Sequence, residues 1–552
     1  MITPARYWSL LLLISLVYLA GLFVTLFEND SAQFAVMAMR MVQENDFLSL
    51  FKGPEEYLDK PHMHYWLAAY AFKIFGIHDW AYRIPALLAS LLGAWSTYGL
   101  GNLLYNKQVG RLASLIFLTA QTIILSNIDV RTDAVLTGFT IFAIWQLARY
   151  IRDSDLFSLL LGAFGAGIAF STKGQIALLV IGLPVLCHLA YTRRWEVLLS
   201  WKVVAALLVF GLTISPMLYA YYQQFDLHPE KVIRGRSGRS GILFIFWEQS
   251  FERLSGEGVG KNSSDYFFFF HTFLWVFLPW TLIGIFAYWA ALRRLIKTHF
   301  RKNPKLELLT VGGIGIIFVI ISFAQFKLPH YLNILIPLFA LLSASYLFSL
   351  KRRQKTRILN RVLAAQYFIL SLVFIATALI CFYVFEWKSW LSYLPLGLGY
   401  ALLAYFIIKK EAPYVRIVTI TVLASVLLNA VLNLHFYPEL LKYQGGSAMA
   451  GIVERENIPP DRIVKISERH TWALDFYNKQ PVRIIALDQL KDLDDTWVYA
   501  TEEEMDLLLG NDYTWDREYS VDQFRITRLQ AKFLNPATRS RVLNRMYLLH
   551  VP

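Results

Sequence analysis

Thirteen long apolar segments constrain this chain more than any other feature of its sequence. A helix that spans a bilayer needs about 20 mostly apolar residues, and segments of this kind recur throughout residues 1–434. Their approximate ranges are 8–26, 84–104, 109–126, 134–150, 156–172, 175–191, 202–222, 266–292, 307–326, 331–350, 361–386, 392–408 and 413–434. The pattern predicts a polytopic α-helical membrane protein with about 13 transmembrane helices.

The composition agrees with this class and excludes others. Apolar residues make up 56% and charged residues 17% of the 552 residues, against about 45–50% and about 25% in soluble domains. The two cysteines, Cys187 and Cys381, lie within apolar segments, which excludes a disulfide framework. The first apolar segment lacks a small-residue cleavage site and is followed by Phe27-Glu28-Asn29-Asp30, so we predict a membrane anchor rather than a cleaved signal peptide.

The basic residues alternate from loop to loop. One set of loops carries 23 Lys and Arg, whereas the short loops of the other set carry four, namely Arg131, Lys173, Lys327 and Lys388. Because short basic loops remain in the cytoplasm, we predict a cytoplasmic amino terminus and, after thirteen spans, an external carboxyl terminus. The net charge of +13 is then a consequence of topology, and no nucleic-acid partner is predicted.

Three longer segments fall on the outer side, at 27–83, 223–265 and 435–552. The last alternates strand-like with helix-like stretches, at Ile463–Ile466, Thr471–Tyr477, Val482–Ile485, Asp488–Leu493, Trp497–Tyr499 and Glu502–Leu509. This alternation predicts a soluble, periplasmic or extracytoplasmic α/β domain over 435–552 that acts as a lid or docking domain. The predicted transmembrane domain covers 1–434 and includes the outer loops 27–83 and 223–265.

Asp30 directly follows the first apolar segment. Downstream of it, Phe34, Met37, Met41 and Val42 recur at helical spacing, which predicts an amphipathic helix lying in the membrane interface. One interpretation of Asp30 is a helix cap, because Asp favours that position. The other is a general base at a cavity near the membrane edge.

The same outer loop contains Asp59, Lys60, His62 and His64 in the stretch YLDKPHMHYW. Lys60 precedes a proline, so its backbone is predicted to be extended. It could form a surface ion pair with Asp59, or bind a lipid phosphate as a point charge. Asp59, His62 and His64 are metal-capable residue types, but their irregular spacing makes this a weak metal signal.

Other short outer loops are also charged. Asp129, Arg131 and Asp133 lie within five residues, either as a locally salt-bridged turn or as part of a polar site. Ser171-Thr172-Lys173-Gly174 forms a tight turn between apolar helices, which indicates packing toward a polar interior. The remaining candidates are Arg253 in the 223–265 loop and Lys327, His330 and Tyr331 in the stretch QFKLPHYLNI.

Together these motifs resemble those of the polyprenyl-phosphate-sugar-dependent GT-C glycosyltransferases. The set comprises an aspartate after the first span, an acid-Lys-Pro motif, an aspartate before the fourth span, a T-K-G turn and a K-L-P-x-Y motif. The similar branch is that of protein O-mannosyltransferases and lipid A aminoarabinose transferases. Ser31 and Gln33 stand where relatives commonly carry Glu and Arg, which leaves the sugar and the acceptor open.

The resemblance implies roles for individual residues. Asp30 and Asp133 match the two catalytic aspartates, and Lys60 matches the lysine that holds the donor phosphate. Arg253 and Lys327 match basic positions around the donor. Further candidates for the site are Asp59, Arg131, His330 and Tyr331.

The predicted activity is transfer of a sugar from a polyprenyl (undecaprenyl) phosphate to a hydroxyl or phosphate acceptor on a lipid, glycan or protein. It would occur at the outer face of a bacterial inner membrane, among membrane lipids. No cofactor is required, because a phosphate is already a good leaving group, although a divalent metal is compatible. The alternatives are a transporter or flippase of lipid-linked sugars and an envelope scaffold.

Overall fold

The computed structural model describes residues 2–249, 251–252, 265–303, 306–387 and 393–552. Within these ranges, nine helices are long and apolar enough to cross a membrane. They are Pro4–Gly21, Asp79–Leu104, Asp133–Asp153, Leu156–Lys173, Gln175–Thr192, Trp201–Asp226, Pro329–Arg352, Thr356–Val384 and Pro413–Leu441. Each coincides with a predicted span, so the prediction of a polytopic helical membrane protein is confirmed.

The other four predicted spans coincide with shorter helices. Leu309–Phe323 and Tyr393–Ile408 are single apolar helices. The predicted span 109–126 is divided into Lys107–Leu118 and Gln121–Leu125. The predicted span 266–292 is divided into Phe268–Val276 and Thr281–Lys297, with Pro279, which lacks a backbone N–H, between them. The count of thirteen therefore stays a prediction.

The surface of the helical bundle is apolar where lipid would cover it. Large side chains on the outward faces are strongly exposed, among them Leu12, Leu16, Leu207, Leu208, Leu212, Phe368 and Leu372. The bundle interior is formed by tightly packed helices, and the buried core includes residues from Ile2 to Leu441 and, further along the chain, Phe524, Ile526 and Phe533. Apolar side chains both in the interior and on the outward face of the helices are typical of a transmembrane bundle.

The predicted outer loop 27–83, which we call the first outer loop after its predicted side, contains two helices. They are Asp30–Gln43, the first-loop helix, and Met63–Phe75, the second-loop helix. A hairpin of strands β1 (Phe51–Lys52) and β2 (Glu55–Glu56) lies between them. The predicted helix after Asp30 is thus confirmed. However, its side chains pack into a core with the second-loop helix and with Trp472, Ala473 and Phe476. Protein, and not the membrane interface, covers its apolar face.

Two further strands, β3 (Val232–Ile233) and β4 (Arg236–Ser237), form a small hairpin in the segment predicted as the outer loop 223–265. The short helix Gly241–Leu243 follows this hairpin. Part of the predicted loop 223–265, including Arg253, lies outside the described residues.

The carboxyl-terminal part contains a mixed five-stranded sheet. Its strands are β5 (Ile463–Lys465), β6 (Arg483–Ile484), β7 (Thr496–Thr501), β8 (Arg517–Gln523) and β9 (Asn544–Val551), in the spatial order β6-β5-β7-β9-β8. The first three are parallel, whereas β9 is antiparallel to both β7 and β8. The register pairs Val464 with Val498 and Val498 with Leu549.

Helices cover this sheet and join it to the bundle. Their bounds are Gly445–Arg455, Trp472–Tyr477, Glu502–Leu509, Ala531–Leu534 and Pro536–Arg539. Thr501 caps the helix Glu502–Leu509 in a reciprocal capping box with Glu504.

The last long helix of the bundle continues to Leu441, past the predicted boundary at 434. We call residues 443–552 the terminal unit.

Candidate active site

A cavity of about 460 Å³ opens between helices of the bundle. One end is polar and is lined by Lys60, Asp133 and Lys173 together with Gln175, Gln249 and Tyr331. The remaining wall is apolar and consists of Leu136, Ile176, Leu178, Leu179, Phe251, Ile320, Ile321, Ala324, Phe326 and Ile334. The cavity therefore combines two cations at its head with a hydrocarbon-like groove.

Asp133 and Lys173 form a buried ion pair at the head of this cavity. The Lys173 ammonium donates to Asp133 Oδ1 at 2.7 Å, and the two side chains are 12% and 3% exposed. Asp133 is the first residue of its helix and Lys173 the last residue of the next one, positions where helix dipoles favour these charges. Gly174, with φ of +69°, then turns the chain into the helix Gln175–Thr192.

Lys60 reaches the same cavity from the first outer loop. It lies in an irregular segment between the β1–β2 hairpin and the second-loop helix, in agreement with the predicted non-helical backbone. Its ammonium lies 2.5 Å from Asp59 Oδ2 and is 12% exposed. The Asp59 carbonyl accepts a hydrogen bond from Gln249 Nε2, and both Lys60 and Gln249 line the cavity, so the ion pair lies beside the cavity wall and not on an open surface.

Asp30 belongs to a second charged group, centred on Arg131. The Arg131 guanidinium contacts Asp30 Oδ2 at 2.9 Å and Asp129 Oδ2 at 2.8 Å. Burial disfavours the charged guanidinium, but the carboxylates of Asp129 and Asp30 outweigh it and raise the pKa of Arg131. The loop 129–133 is thus more than a local salt-bridged turn, because Arg131 ties it to the first outer loop.

The position of Asp30 separates the two interpretations of this residue. Asn29 occupies the N-cap and Asp30 is the first helical residue, so Asp30 is not the cap. Its side chain is 44% exposed and faces Arg131. An acid in the first turn of a helix is favoured by the dipole, and its exposure leaves room for an acceptor hydroxyl to approach.

His330 and Tyr331 lie beside the buried pair. His330 Nε2 is 3.7 Å from Asp133 Oδ2, and it is also within electrostatic range of Lys173, Arg131 and Lys60. The Tyr331 ring centre is 5.0 Å from the Lys173 ammonium, close enough for a cation–π contact. The structure therefore brings Lys60, Asp133, His330 and Tyr331 together around Lys173.

Lys327 lies next in sequence to a residue that lines the cavity, but it is not itself among the described lining residues. Its ammonium donates to the Asp265 carbonyl at 2.9 Å and lies 5.3 Å from the Tyr266 ring centre. The adjacent residue Phe326, and not Lys327, is among the described lining residues of the cavity. The predicted phosphate-binding role of Arg253 falls on a residue outside the described ranges.

The weak metal prediction fails on geometry. His62 Nε2 forms a hydrogen bond with the Leu48 carbonyl, and His64 Nε2 forms one with the Tyr82 hydroxyl. Over the described part of the chain, no three His, Cys, Asp or Glu side chains are arranged to hold a metal ion. Asp59, His62 and His64 are therefore not grouped as metal ligands in the part of the chain that the structure describes.

Lys173 is the site residue that the sequence interpretation did not select. The T-K-G turn marked the region, but the ion pair joins residues 40 positions apart, and no spacing rule predicts that contact. The available signal was a lysine confined to a turn between two apolar helices. A charge in such a place is costly and indicates a function.

Comparisons with known families agree with the motifs. The sequence profile of the family described as dolichyl-phosphate-mannose-protein mannosyltransferase matches residues 59–219, less than a third of the chain. This stretch includes Lys60, Asp133 and Lys173.

Characterised relatives share more of the chain. An undecaprenyl phosphate-alpha-4-amino-4-deoxy-L-arabinose arabinosyl transferase of Proteus mirabilis is 24% identical over 61% of this chain and 58% of its own length. A transferase of the same description from Pseudomonas paraeruginosa is 25% identical over 59% of this chain and 56% of its own length. The matched region thus covers somewhat more than half the length of these relatives.

A solved structure aligns over almost the whole chain. ArnT from Cupriavidus metallidurans, crystallised bound to undecaprenyl phosphate, superposes with a TM-score of 0.73. The alignment covers 98% of this chain and 97% of that one at 16% identity. The likeness to this structure is one of fold and agrees with the predicted GT-C architecture, and the profile and the relatives match the branch that the motifs resemble.

Proposed function

We propose that this chain, an integral membrane protein with a GT-C fold, is a glycosyltransferase that uses a polyprenyl phosphate-linked sugar as its donor. The acceptor is a hydroxyl or phosphate group on a lipid, glycan or protein at the outer face of the membrane. The chain resembles transferases whose names specify an undecaprenyl phosphate-linked sugar. The solved structure of similar fold was crystallised with undecaprenyl phosphate.

One observation carries the proposal, namely the cavity with two lysines at its head and an apolar groove behind them. A polyprenyl phosphate has the complementary chemistry, an anionic head on a long hydrocarbon chain. Lys60 and Lys173 would neutralise the phosphate. The isoleucine, leucine and phenylalanine side chains along the wall would contact the first isoprene units.

The protein's main task in this reaction is to stabilise the charge that develops on the leaving phosphate, and no covalent bond to the protein is needed. The bond between the anomeric carbon and the phosphate oxygen breaks, and a bond from that carbon to the acceptor oxygen forms. The phosphodiester leaves as a phosphomonoester with one additional negative charge. Lys60 and Lys173 would stabilise this charge as it develops, in a site where burial strengthens electrostatic interactions.

The acceptor proton also needs a destination. Asp30 is proposed to accept it, because its carboxylate is partly exposed and Arg131 holds it in place at 2.9 Å. Asp133 is almost fully buried beneath Lys173, so its proposed role is to hold that lysine toward the phosphate. A single displacement of this kind inverts the configuration at the anomeric carbon.

The orientation in the membrane is part of the proposal. With the amino terminus in the cytoplasm, the cavity head, Asp30 and the terminal unit all lie on the periplasmic side of a bacterial inner membrane. A reporter that is active only outside the cytoplasm, fused after Tyr443, is expected to be active. Activity from a reporter that works only inside the cytoplasm at the same fusion point would reverse this topology.

Turnover distinguishes the enzyme from a transporter or flippase. Purified protein, supplied with a labelled polyprenyl-phosphate sugar and an extract of envelope lipids and glycans, is expected to release polyprenyl phosphate and label an acceptor. The matched control is the Lys60→Met variant in the same detergent. If the protein, reconstituted into lipid vesicles, moves the labelled donor across the membrane while the donor remains intact, it is a transporter and the proposal is wrong.

A further inference from the structure

The terminal unit is joined to the segment that precedes Asp30 through one buried amide. Gln444 is 1% exposed. Its Nε2 donates to the Leu26 carbonyl at 2.8 Å, and its Oε1 accepts from the Glu28 backbone N–H at 2.7 Å. The Gln444 side chain therefore bonds the backbone on both sides of Phe27, with one donor and one acceptor, as a neighbouring β-strand would.

Phe27 links this clamp to the helix that carries Asp30. The Phe27 carbonyl accepts a hydrogen bond from the Ala32 N–H at 2.9 Å, inside the first turn of the first-loop helix. Because Gln444 fixes the residues before and after Phe27, it fixes where this helix begins. Asp30 is the first residue of that helix, so its position relative to Arg131 depends on the clamp.

Further hydrogen bonds from the terminal unit reach the same segment. The Leu26 N–H donates to the Tyr477 hydroxyl at 2.9 Å, and the Ala473 N–H donates to Glu28 Oε1 at 3.2 Å. Burial raises the pKa of the Glu28 carboxyl to about 8. Asn29 Nδ2 donates to Thr527 Oγ1 at 3.2 Å.

These contacts leave little freedom to the segment 26–29. On its other side, the buried Arg83 guanidinium donates to the carbonyls of Leu22, Thr25 and Ile128. Arg83 thus joins the end of the first helix to the loop that carries Arg131. The segment before Asp30 is held from the bundle by Arg83 and from the terminal unit by Gln444.

We propose that Gln444 is a positioning residue for sugar transfer, and that the terminal unit completes the active site by placing Asp30. This inference rests on the proposed function. It replaces the interpretation of the terminal unit as a lid or a separate docking domain with a direct structural role. Gln444 itself does not line the donor cavity described above, so its effect reaches the reaction only through the segment 26–30.

The test combines kinetics with a double-mutant cycle. Gln444→Leu removes both hydrogen bonds, and a shift of about 1 Å in a reacting group is sufficient to reduce turnover about a hundredfold. We expect kcat per folded molecule to fall about tenfold to a hundredfold, with the KM for the labelled polyprenyl-phosphate sugar unchanged. Gln444→Glu, which keeps the acceptor for the Glu28 N–H, is expected to recover part of the loss.

The cycle shows whether the effect passes through Asp30. In the Asp30→Asn background, Gln444→Leu is expected to cause no further loss of kcat, because the group that it positions is already inactive. Gln43→Ala is the matched control, since Gln43 Nε2 also bonds to the terminal unit, at the Lys479 carbonyl, but near the far end of the same helix. It is expected to leave kcat unchanged.

Two outcomes would overturn the inference while leaving the proposed function intact. One is a Gln444→Leu protein that remains folded and transfers sugar at the wild-type rate. The other is a double variant Gln444→Leu/Asp30→Asn whose fold-loss of kcat equals the product of the two single losses. That result indicates that Gln444 acts independently of Asp30. Absence of transfer by the wild-type protein would instead contradict the proposed function.

Discussion

Replacing Asp30 by Asn is expected to leave a folded, membrane-inserted protein that binds the donor and barely transfers sugar. Asn29, not Asp30, occupies the N-cap position and makes no side-chain cap hydrogen bond, so the substitution removes no cap. The amide cannot accept a proton, and loss of a general base typically reduces turnover about a hundred- to ten-thousand-fold. The measurement is kcat for the labelled donor, alongside the thermal midpoint and donor affinity of the same preparation.

Asp129→Asn is the matched control for this variant. Asp129 contacts the same guanidinium, at 2.8 Å, so its replacement also removes one carboxylate from Arg131. If the role of Asp30 were only to pair with Arg131, the two variants would lose similar activity. A much larger loss for Asp30→Asn supports the base. Near-normal turnover in Asp30→Asn would show that Asp30 is not the general base.

Lys173→Met is expected to have the largest combined effect on stability and on donor binding. Removing the lysine leaves the Asp133 carboxylate 3% exposed and without its closest cation, which Lys173 provides at 2.7 Å. Breaking a buried ion pair in this way costs about 3–5 kcal/mol. The free energy of unfolding in mixed micelles and the affinity for polyprenyl phosphate should both fall.

The double variant Lys173→Met/Asp133→Leu separates these two effects. It removes the buried charge together with its partner, so most of the stability is expected to return. Donor binding should stay weak, because the phosphate still lacks one of its two cations. Recovery of donor affinity along with stability would show that Lys173 supports the fold and does not bind the phosphate.

The helical framework could be predicted because its physical cause is local. A continuous apolar stretch of bilayer length is visible in the sequence without any knowledge of tertiary contacts. The same applies to the helix Glu502–Leu509, whose capping box lies within the sequence itself. Where predicted spans are divided, as at Pro279, the break depends on backbone chemistry that hydropathy alone does not register.

The terminal sheet shows where local patterns stop being sufficient. Strands near 463, 482 and 497 were predicted from alternation and coincide with β5, β6 and β7. The strand β9, Asn544–Val551, was not predicted, although it lies between β7 and β8 and carries buried Leu548 and Leu549. The residues that it pairs with precede it by about 20 to 55 positions, and that pairing is set by the fold.

Individual residues of the candidate site could be predicted from the sequence, but the ion pairs between them could not. Asp30, Lys60 and Asp133 stood out because charges beside apolar spans are costly. The contacts Arg131–Asp30 and Lys173–Asp133 join different loops and follow only from how the helices pack. The buried face of the first-loop helix was likewise assigned to lipid, because the sequence does not show that the terminal unit covers it.

Equilibrium binding of polyprenyl phosphate, compared with that of the corresponding polyprenol, tests the central claim most directly. If Lys60 and Lys173 hold the donor phosphate, the purified protein should bind polyprenyl phosphate at least tenfold more tightly than polyprenol. Lys60→Met should remove most of that difference, since a charge-assisted hydrogen bond contributes about 1.5–3 kcal/mol. Equal affinity for the two lipids, or full discrimination by Lys60→Met, would contradict the assignment of this cavity to the donor.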